Sequence, residues 1–381
     1  MSEMLFEYPS AFLPGPDGRP SNHVDFHVLR TLVNSGDIRV SEHPDPSVPY
    51  AIYNYAAIHA QRGSDAQTSP YAPVIDVCRG LIANTETGLV VARPFERMDQ
   101  LGENDELPGP GTWYRKIDGT LAIQYSEPSG RQRIASRGTF DNSRGTSNRY
   151  IEFGNEMLDR YAAENEFDPS ITHLWEMVVP GGDYTIEHEP GMTLIGRVVT
   201  ATGVELDLPD QSEVSYPVVD VLEGEDFTSA TRMRKLDMID CEGAVVKLDG
   251  SGKRIKVKTN AYRWLTMQRN GEVPRYMRDK LVNGGTFAGM IGRVPPSVRP
   301  MMKEHADTLQ AEIDAAMAPI KAVLRGEADR SSLDGKQMEI LRTMELGGDR
   351  AALKTLIRKP PRRQARSQRD TRQQSNRPTA E

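Results

Sequence analysis

Lys116 lies in the stretch Trp113-Tyr114-Arg115-Lys116-Ile117-Asp118-Gly119-Thr120-Leu121-Ala122-Ile123, which reads as strand, turn, strand. The turn holds a lysine, an acid two residues on, and a glycine. A lysine ammonium titrates near ~10.4 and is a poor nucleophile at neutral pH. Burial or neighbouring positive charge lowers that value. Bringing it to about 7 takes roughly 4–5 kcal/mol of differential interaction. Other polar residues stand oddly within apolar strand patterns: Arg79, Arg97, Asp118, Arg137, Glu176, Glu242, Lys256 and Lys258. Gathered into one cavity, these cations and three carboxylates suit a nucleoside triphosphate and a divalent metal. The cations would neutralise phosphates and depress Lys116. The carboxylates would hold Mg²⁺ directly or through water. Attack by the lysine on an α-phosphate would form a phosphoramidate and release pyrophosphate.

These residues need strands to hold them, and each also has a plainer reading. Val74 to Asn84 is a near-continuous apolar run interrupted by Arg79, and Gly88 to Ala92 is a further strand that ends in Arg93-Pro94-Phe95-Glu96-Arg97. Burying an arginine in such a strand is costly without an anion. Arg79 is therefore either an edge-strand surface residue or a phosphate or carboxylate clamp. Strands Gly111–Arg115 and Leu121–Tyr125 bracket Lys116, and Arg133–Ser136 follows a Pro-Ser-Gly turn and closes on Arg137. Glu176 stands in the middle of the strand Thr172–Pro180, where it needs a partner. An arginine paired for structure alone would meet that need. Met192–Thr200 and Gly203–Leu206 complete this strand-rich part. Cys241–Leu248 and Arg254–Tyr262 form a hairpin. Its Lys256 and Lys258 share one face by the period of two. They favour a shared anion, or else decorate a solvent-facing edge.

Helical patterns cover Asn22–Val33, Ser147–Asn165 and Ser229–Leu236. Short strands are expected at Ile38–Val40 and Ala51–Tyr55, with a polar loop at Gln61–Ser69. After Tyr262 the pattern turns helical, over Pro274–Val282, Ser297–Leu324, Lys336–Glu345 and Arg350–Ile357, with Gly347-Gly348 separating the last two. The expected organisation is a catalytic domain over residues 1–265, a helical domain over 266–358 and a basic disordered tail over 359–381.

A chain of 381 residues has room for two or three domains with real cores. No apolar run approaches the ~20 residues of a membrane span, so no membrane partner is expected. Met1 to Leu5 shows no basic region leading into an apolar core, so no secretory leader is expected. Two cysteines, Cys78 and Cys241, are too few for a disulfide framework or a zinc site. A reducing cytoplasm fits, the host's if the chain is phage-encoded. The net charge of −7 is unevenly spread. Without Arg358 and everything after it, 39 basic and 52 acidic residues remain. An acidic body with a basic tail suggests a polyanionic partner, or a solvated tail with none.

Lys116-Ile117-Asp118-Gly119 resembles motif I, KxDG, of the covalent nucleotidyltransferases, the ligases and capping enzymes. That match alone is weak. The ordered series with Ser136-Arg137-Gly138, Trp175-Glu176, Glu242-Gly243 and Lys256-x-Lys258 is strong, and resembles motifs Ia, III, IV and V. Tyr50 to Tyr55, Cys78-Arg79-Gly80, Arg93 to Arg97 and Tyr262 narrow the resemblance to the bacteriophage tRNA-repair RNA ligases of the RNA ligase 1 type. It covers roughly Tyr50 to Tyr262.

The resemblance implies an α+β fold: a nucleotidyltransferase domain of ATP-grasp-like antiparallel sheets with flanking helices, then an all-helical C-terminal domain. It implies an ATP-dependent RNA ligase in RNA or tRNA repair, acting on 5′-phosphate and 3′-hydroxyl RNA ends, nicked tRNA among them, as a monomer with Mg²⁺ or Mn²⁺. Lys116 would carry AMP. Asp118 and Gly119 would shape its turn, with Asp118 near ribose or metal. Tyr55, Arg79, Arg97 and Arg137 would contact nucleotide or phosphate, and Glu176 the ribose hydroxyls or the nucleophile. Glu242 would bind metal, and Lys256 with Lys258 the α-phosphate. Arginine stands at 97 and 137 where the family usually has lysine, and Met98-Asp99 replaces an aromatic pair. Rival readings are a DNA ligase, a capping guanylyltransferase, and a non-catalytic RNA-binding protein on a ligase scaffold.

Overall fold

The computed structural model describes residues 10–15, 20–60, 70–140 and 148–357. Gln61–Ser69 and the basic tail lie outside these residues. The chain divides into two compact units, Met1–Arg263 and Trp264–Glu381.

The first unit opens with β1 (Phe12–Pro14) and β2 (Pro20–Val24), then α1 (Phe26–Ser35). The apolar spacing predicts this helix from Asn22, but Asn22 to Val24 belongs to β2. Asp25 sets the start, because its carboxylate caps the amides of His27 and Val28. β3 (Ile38–Glu42), β4 (Tyr50–Tyr55) and α2 (Ala57–Ala60) follow. The apolar run from Val74 is not one strand. It is helix α3 (Ala72–Val77), with proline in its first turn, and then β5 (Arg79–Asn84). Next come β6 (Val90–Ala92), β7 (Asp99–Gln100), β8 (Gly111–Lys116), β9 (Thr120–Ser126) and β10 (Gln132–Ser136). The unit continues with α4 (Asn148–Ala162), β11 (Ile171–Val178), β12 (Gly191–Val199), β13 (Glu205–Leu206), α5 (Ala230–Lys235), β14 (Gly243–Leu248) and β15 (Arg254–Lys258).

Three larger sheets result, with strand orders β3-β4-β5-β6, β10-β9-β11-β12-β13 and β7-β15-β14-β8. All their pairings are antiparallel except β7 with β15. The segment around Lys116 is therefore not a hairpin. β8 ends in the third sheet and β9 begins in the second, so the turn carrying Lys116 and Asp118 crosses between sheets. Ile52 and Ile82 of the first sheet share a buried cluster with Leu121 and Ile123 of the second. Helix α4 covers the second sheet's other face, with Ile151 and Leu158 against Ile134 and Trp175. Trp113, Val246 and Val257 turn away from the second sheet and bury against Met233 of α5.

Helix α6 (Asn260–Arg269) runs across the boundary between the units. The described regular structure after it is helical: α7 (Val273–Val282), α8 (Phe287–Gly292), α9 (Arg299–Leu324) and α10 (Gly335–Ile357). The helices expected over Lys336–Glu345 and Arg350–Ile357 are two limbs of α10, broken at Gly348 with φ 71° and ψ −174°. Among described residues, no helix is long and apolar enough to cross a membrane.

Candidate active site

The third sheet presents a patterned face. Cross-strand register places Lys258, Gly243 and Lys116 in one row, and Lys256, Val245 and Tyr114 in the next. Arg254, Lys247 and Thr112 form the row after that. Gly243 separates the two lysines of the first row. It holds φ +150°, and an added Cβ would stand 2.1 Å from the Val257 carbonyl oxygen. No other residue fits there without moving the strand.

Glu242, one residue earlier, is buried and takes both lysines. Its Oε2 lies 2.6 Å from the Lys116 Nζ, and its Oε1 lies 2.8 Å from the Lys258 Nζ. Burial alone would raise the Glu242 carboxyl, but the charges of Lys116 and then Lys258 outweigh it and hold it below its ordinary value. The converse holds for Lys116. Burial pulls its ammonium down, yet Glu242, then Glu176, then Asp118 keep it above the ordinary lysine value. The surroundings therefore do not depress Lys116, contrary to the sequence expectation. The carboxylates of Glu242, Glu176 and Asp118 dominate around it.

Asp118 is spent on the protein. Its Oδ2 accepts from the amides of Thr185 at 2.7 Å and Ile186 at 3.1 Å, and its Oδ1 accepts from the Tyr262 hydroxyl at 3.0 Å. It ties the Lys116 turn to a loop and to the helix after β15. The Gly119 amide donates to Glu176 Oε1 at 3.2 Å. A Cβ on Gly119 would lie 2.9 Å from both the Glu176 Cγ and the Met177 oxygen. Burial, aided by the Glu242 charge, outweighs the opposing charge of Lys116 and leaves the Glu176 carboxyl above its ordinary value. Each Glu242 oxygen contacts one ammonium group, and among the described residues no cluster of three His, Cys, Asp or Glu gathers to hold a metal.

A cavity of about 490 Å³ opens beside Lys116. Of the residues singled out by sequence, Arg79, Lys116, Gly119, Arg137, Glu176 and Lys256 line it. Arg79 Nε and Nη1 are buried there with no hydrogen-bond partner. Burial, with Arg137 nearby, lowers its guanidinium from the usual value, while Tyr55 and Glu176 oppose that. Arg137 Nη1 donates to the Tyr55 hydroxyl at 3.2 Å, so Tyr55 acts from behind, as a support for Arg137. Lys256 makes no ion pair among the described residues. Burial first, then the charges of Arg79 and Lys116, push it down to about 7.

Arg97 stands apart from the cavity lining. Its guanidinium is held by Asp76 at 2.7 Å and Asp99 at 2.8 Å. Those carboxylates outweigh burial and raise it further. The sequence reading missed Phe95, Met98, Tyr114 and Arg254, which also line the cavity. Tyr114 and Arg254 carried a usable signal, since each stands two residues from a lysine already singled out, on the same strand face.

No family model matches the chain, and no curated protein does. Among solved structures it is similar to an archaeal ATP-dependent RNA ligase, form 1. That match has 13% identity, covers 79% of this chain and 80% of the other, and has a TM-score of 0.43. It is also similar to form 2, at 16% identity, over 84% and 87% of the two chains, with a TM-score of 0.42. Both likenesses are distant in sequence and in geometry.

Proposed function

We propose that this chain is an ATP-dependent RNA ligase that works through a lysyl-AMP intermediate on Lys116. The observation that carries the proposal is a pair of cations without carboxylate partners, the buried guanidinium of Arg79 and the half-buried Lys256, facing the same cavity as Lys116. Enclosing charge without a counter-charge is costly, and a polyanion relieves that cost. A triphosphate supplies that polyanion and places a phosphorus near the lysine.

In the first step the Lys116 ammonium gives its proton to Glu242, whose Oε2 lies 2.6 Å away, and the freed amine attacks the α-phosphorus as the bond to pyrophosphate breaks. Arg79, Arg137 and Lys256 take the charge of the phosphoryl oxygens. Glu242 and Lys258 position the amine, and Gly119 and Asp118 hold its turn. A 5′-phosphate of RNA then displaces the lysine and takes AMP. A 3′-hydroxyl attacks the phosphorus of that RNA 5′-phosphate, sealing the strand and releasing AMP. The specialisation to tRNA repair of the bacteriophage type rests on the motif residues alone.

The test is incubation with α-labelled ATP or GTP, then ligation of 5′-phosphorylated RNA against nicked duplex DNA. We expect covalent label from ATP, complete loss of it in Lys116→Ala, and sealing of RNA. Label that survives Lys116→Ala sinks the proposal. Label from GTP alone moves it to capping.

A further inference from the structure

We infer that Arg254 reads the nucleobase at the end of the cavity away from the reactive lysine. This deepens the nucleotide-binding part of the reading above and rests on it. Arg254, Lys256 and Lys258 occupy alternate positions of β15 and share a face. Strand rise is about 3.3 Å per residue, so the Arg254 row lies about 13 Å from the row of Lys258 and Lys116. A nucleoside and its α-phosphate span a gap of that order.

Positions along this cavity differ in chemistry. Lys256 and Arg79 carry charge that no carboxylate contacts, which suits phosphate. Arg254 does not. Its Nε donates to Glu205 Oε1 at 3.2 Å and its Nη2 to Glu205 Oε2 at 2.9 Å. Glu205 is shared with Lys247 at 3.0 Å. The guanidinium is also stacked, 4.0 Å from the Phe95 ring centre and 5.3 Å from that of Tyr114. Phe95 is itself fixed, since a Cβ on Gly196 would come within 2.0 Å of its ring. Val245, Ile195 and Met98 supply the apolar surface around it.

An arginine held on one edge by a carboxylate and against an aromatic platform is rigid and pre-oriented. Its Nη1 makes no protein hydrogen bond among the described residues. Guanidinium donates and never accepts. The matching ligand group is an acceptor on a planar base, such as a purine ring nitrogen, lying in the apolar part of the cavity.

The test measures binding of α,β-methylene ATP to the full chain by calorimetry, which needs no transfer to Lys116. Inorganic tripolyphosphate is measured in parallel. In Arg254→Met we expect a loss of about 10- to 100-fold for the nucleotide and no change for tripolyphosphate. That unchanged affinity also shows that the variant is folded. One of 1-deaza, 3-deaza or 7-deaza ATP should lose the same factor with the unaltered chain and nothing further with Arg254→Met. Equal loss of nucleotide and tripolyphosphate, or deaza losses additive with Arg254→Met throughout, overturns the inference. Nucleotide binding of the expected pattern without any covalent label would leave Arg254 as base reader and remove the ligase reading instead.

Discussion

Two largely buried lysines in the same unit are kept in opposite states. Lys116 faces Glu242 at 2.6 Å and is held above its ordinary value. Lys256, on the neighbouring row of the same sheet, has no such partner and is pushed down to about 7. The difference comes from where Glu242 stands. It precedes Gly243, in the row of Lys116 and Lys258, and each of its two oxygens contacts one of those lysines. The row of Lys116 and Lys258 thus has its charges matched within the protein, and the neighbouring row of Lys256 does not. The matched row keeps the nucleophile protonated and in place. The unmatched row stores the attraction for an anion, whose arrival changes the field around Lys116.

Removing a charge should therefore act in opposite directions in the two settings. Glu242→Ala leaves Lys116 and Lys258 unpaired and should cost about 3–5 kcal/mol. Urea denaturation of the full chain at pH 7 measures it, and a cost below 1 kcal/mol would break the comparison. Arg79→Met removes a buried charge that lacks a carboxylate partner. It should leave stability unchanged or raise it by about 1–3 kcal/mol, while weakening ATP binding by about 100-fold or more. A destabilised Arg79→Met would mean that Arg79 holds the apoprotein together, and would remove the main support for a polyanion site.

The pH dependence sharpens the same contrast. Lys256 has a folded value of about 7 against 10.5 for an ordinary lysine. Below pH 7 both folded and unfolded chains bind its proton, and the folded one carries the full penalty. Between about 7 and 10.5 the unfolded chain keeps the proton and the folded chain has lost it, so stability rises with pH. The upper bound is about 5 kcal/mol, and the partly accessible side chain reduces it to a few. Lys116 behaves in reverse. Its contribution is complete below 10.5 and is lost only as pH rises through its higher folded value. Competitive acetylation with mass spectrometry should find Lys256 reactive from about pH 7 and Lys116 protected far above it. Equal reactivity would erase the distinction.

How much of this was legible in the sequence depends on the range of the interaction. Alternation along β15 announces that Lys256 and Lys258 share a face, because the side-chain period is local. The strand at Thr172–Pro180 and the helical character after Tyr262 were likewise visible in periodicity. Proline in the first turn of α3 was a start signal hidden by the apolar run around it. The partners were not legible. Arg97 is closed off by Asp76, Asp118 is consumed by Thr185 and Ile186, and Arg254 is clamped by Glu205. Each pairing depends on tertiary placement that no spacing encodes. The same reason makes the strand-turn-strand pattern at Lys116 look like a hairpin, although its two strands enter different sheets.

The smallest effect tests whether the Lys116 turn is held from outside the sheet. The Tyr262 hydroxyl donates to Asp118 Oδ1, and Lys258 Nζ lies 4.9 Å from the Tyr262 ring centre. Tyr262→Phe keeps the ring and its contact with the lysine, and removes one hydrogen bond to a carboxylate. Asp118 still accepts from the two backbone amides. The expected cost is about 1.5 kcal/mol of stability, with a several-fold slower single-turnover labelling of Lys116 and an unchanged affinity for ATP. That combination identifies Tyr262 as a positioning residue, acting on Lys116 through Asp118. A labelling rate reduced a hundredfold or more with no loss of stability would instead place the Tyr262 hydroxyl on the reacting groups. The turn would then owe its position to the two amides alone.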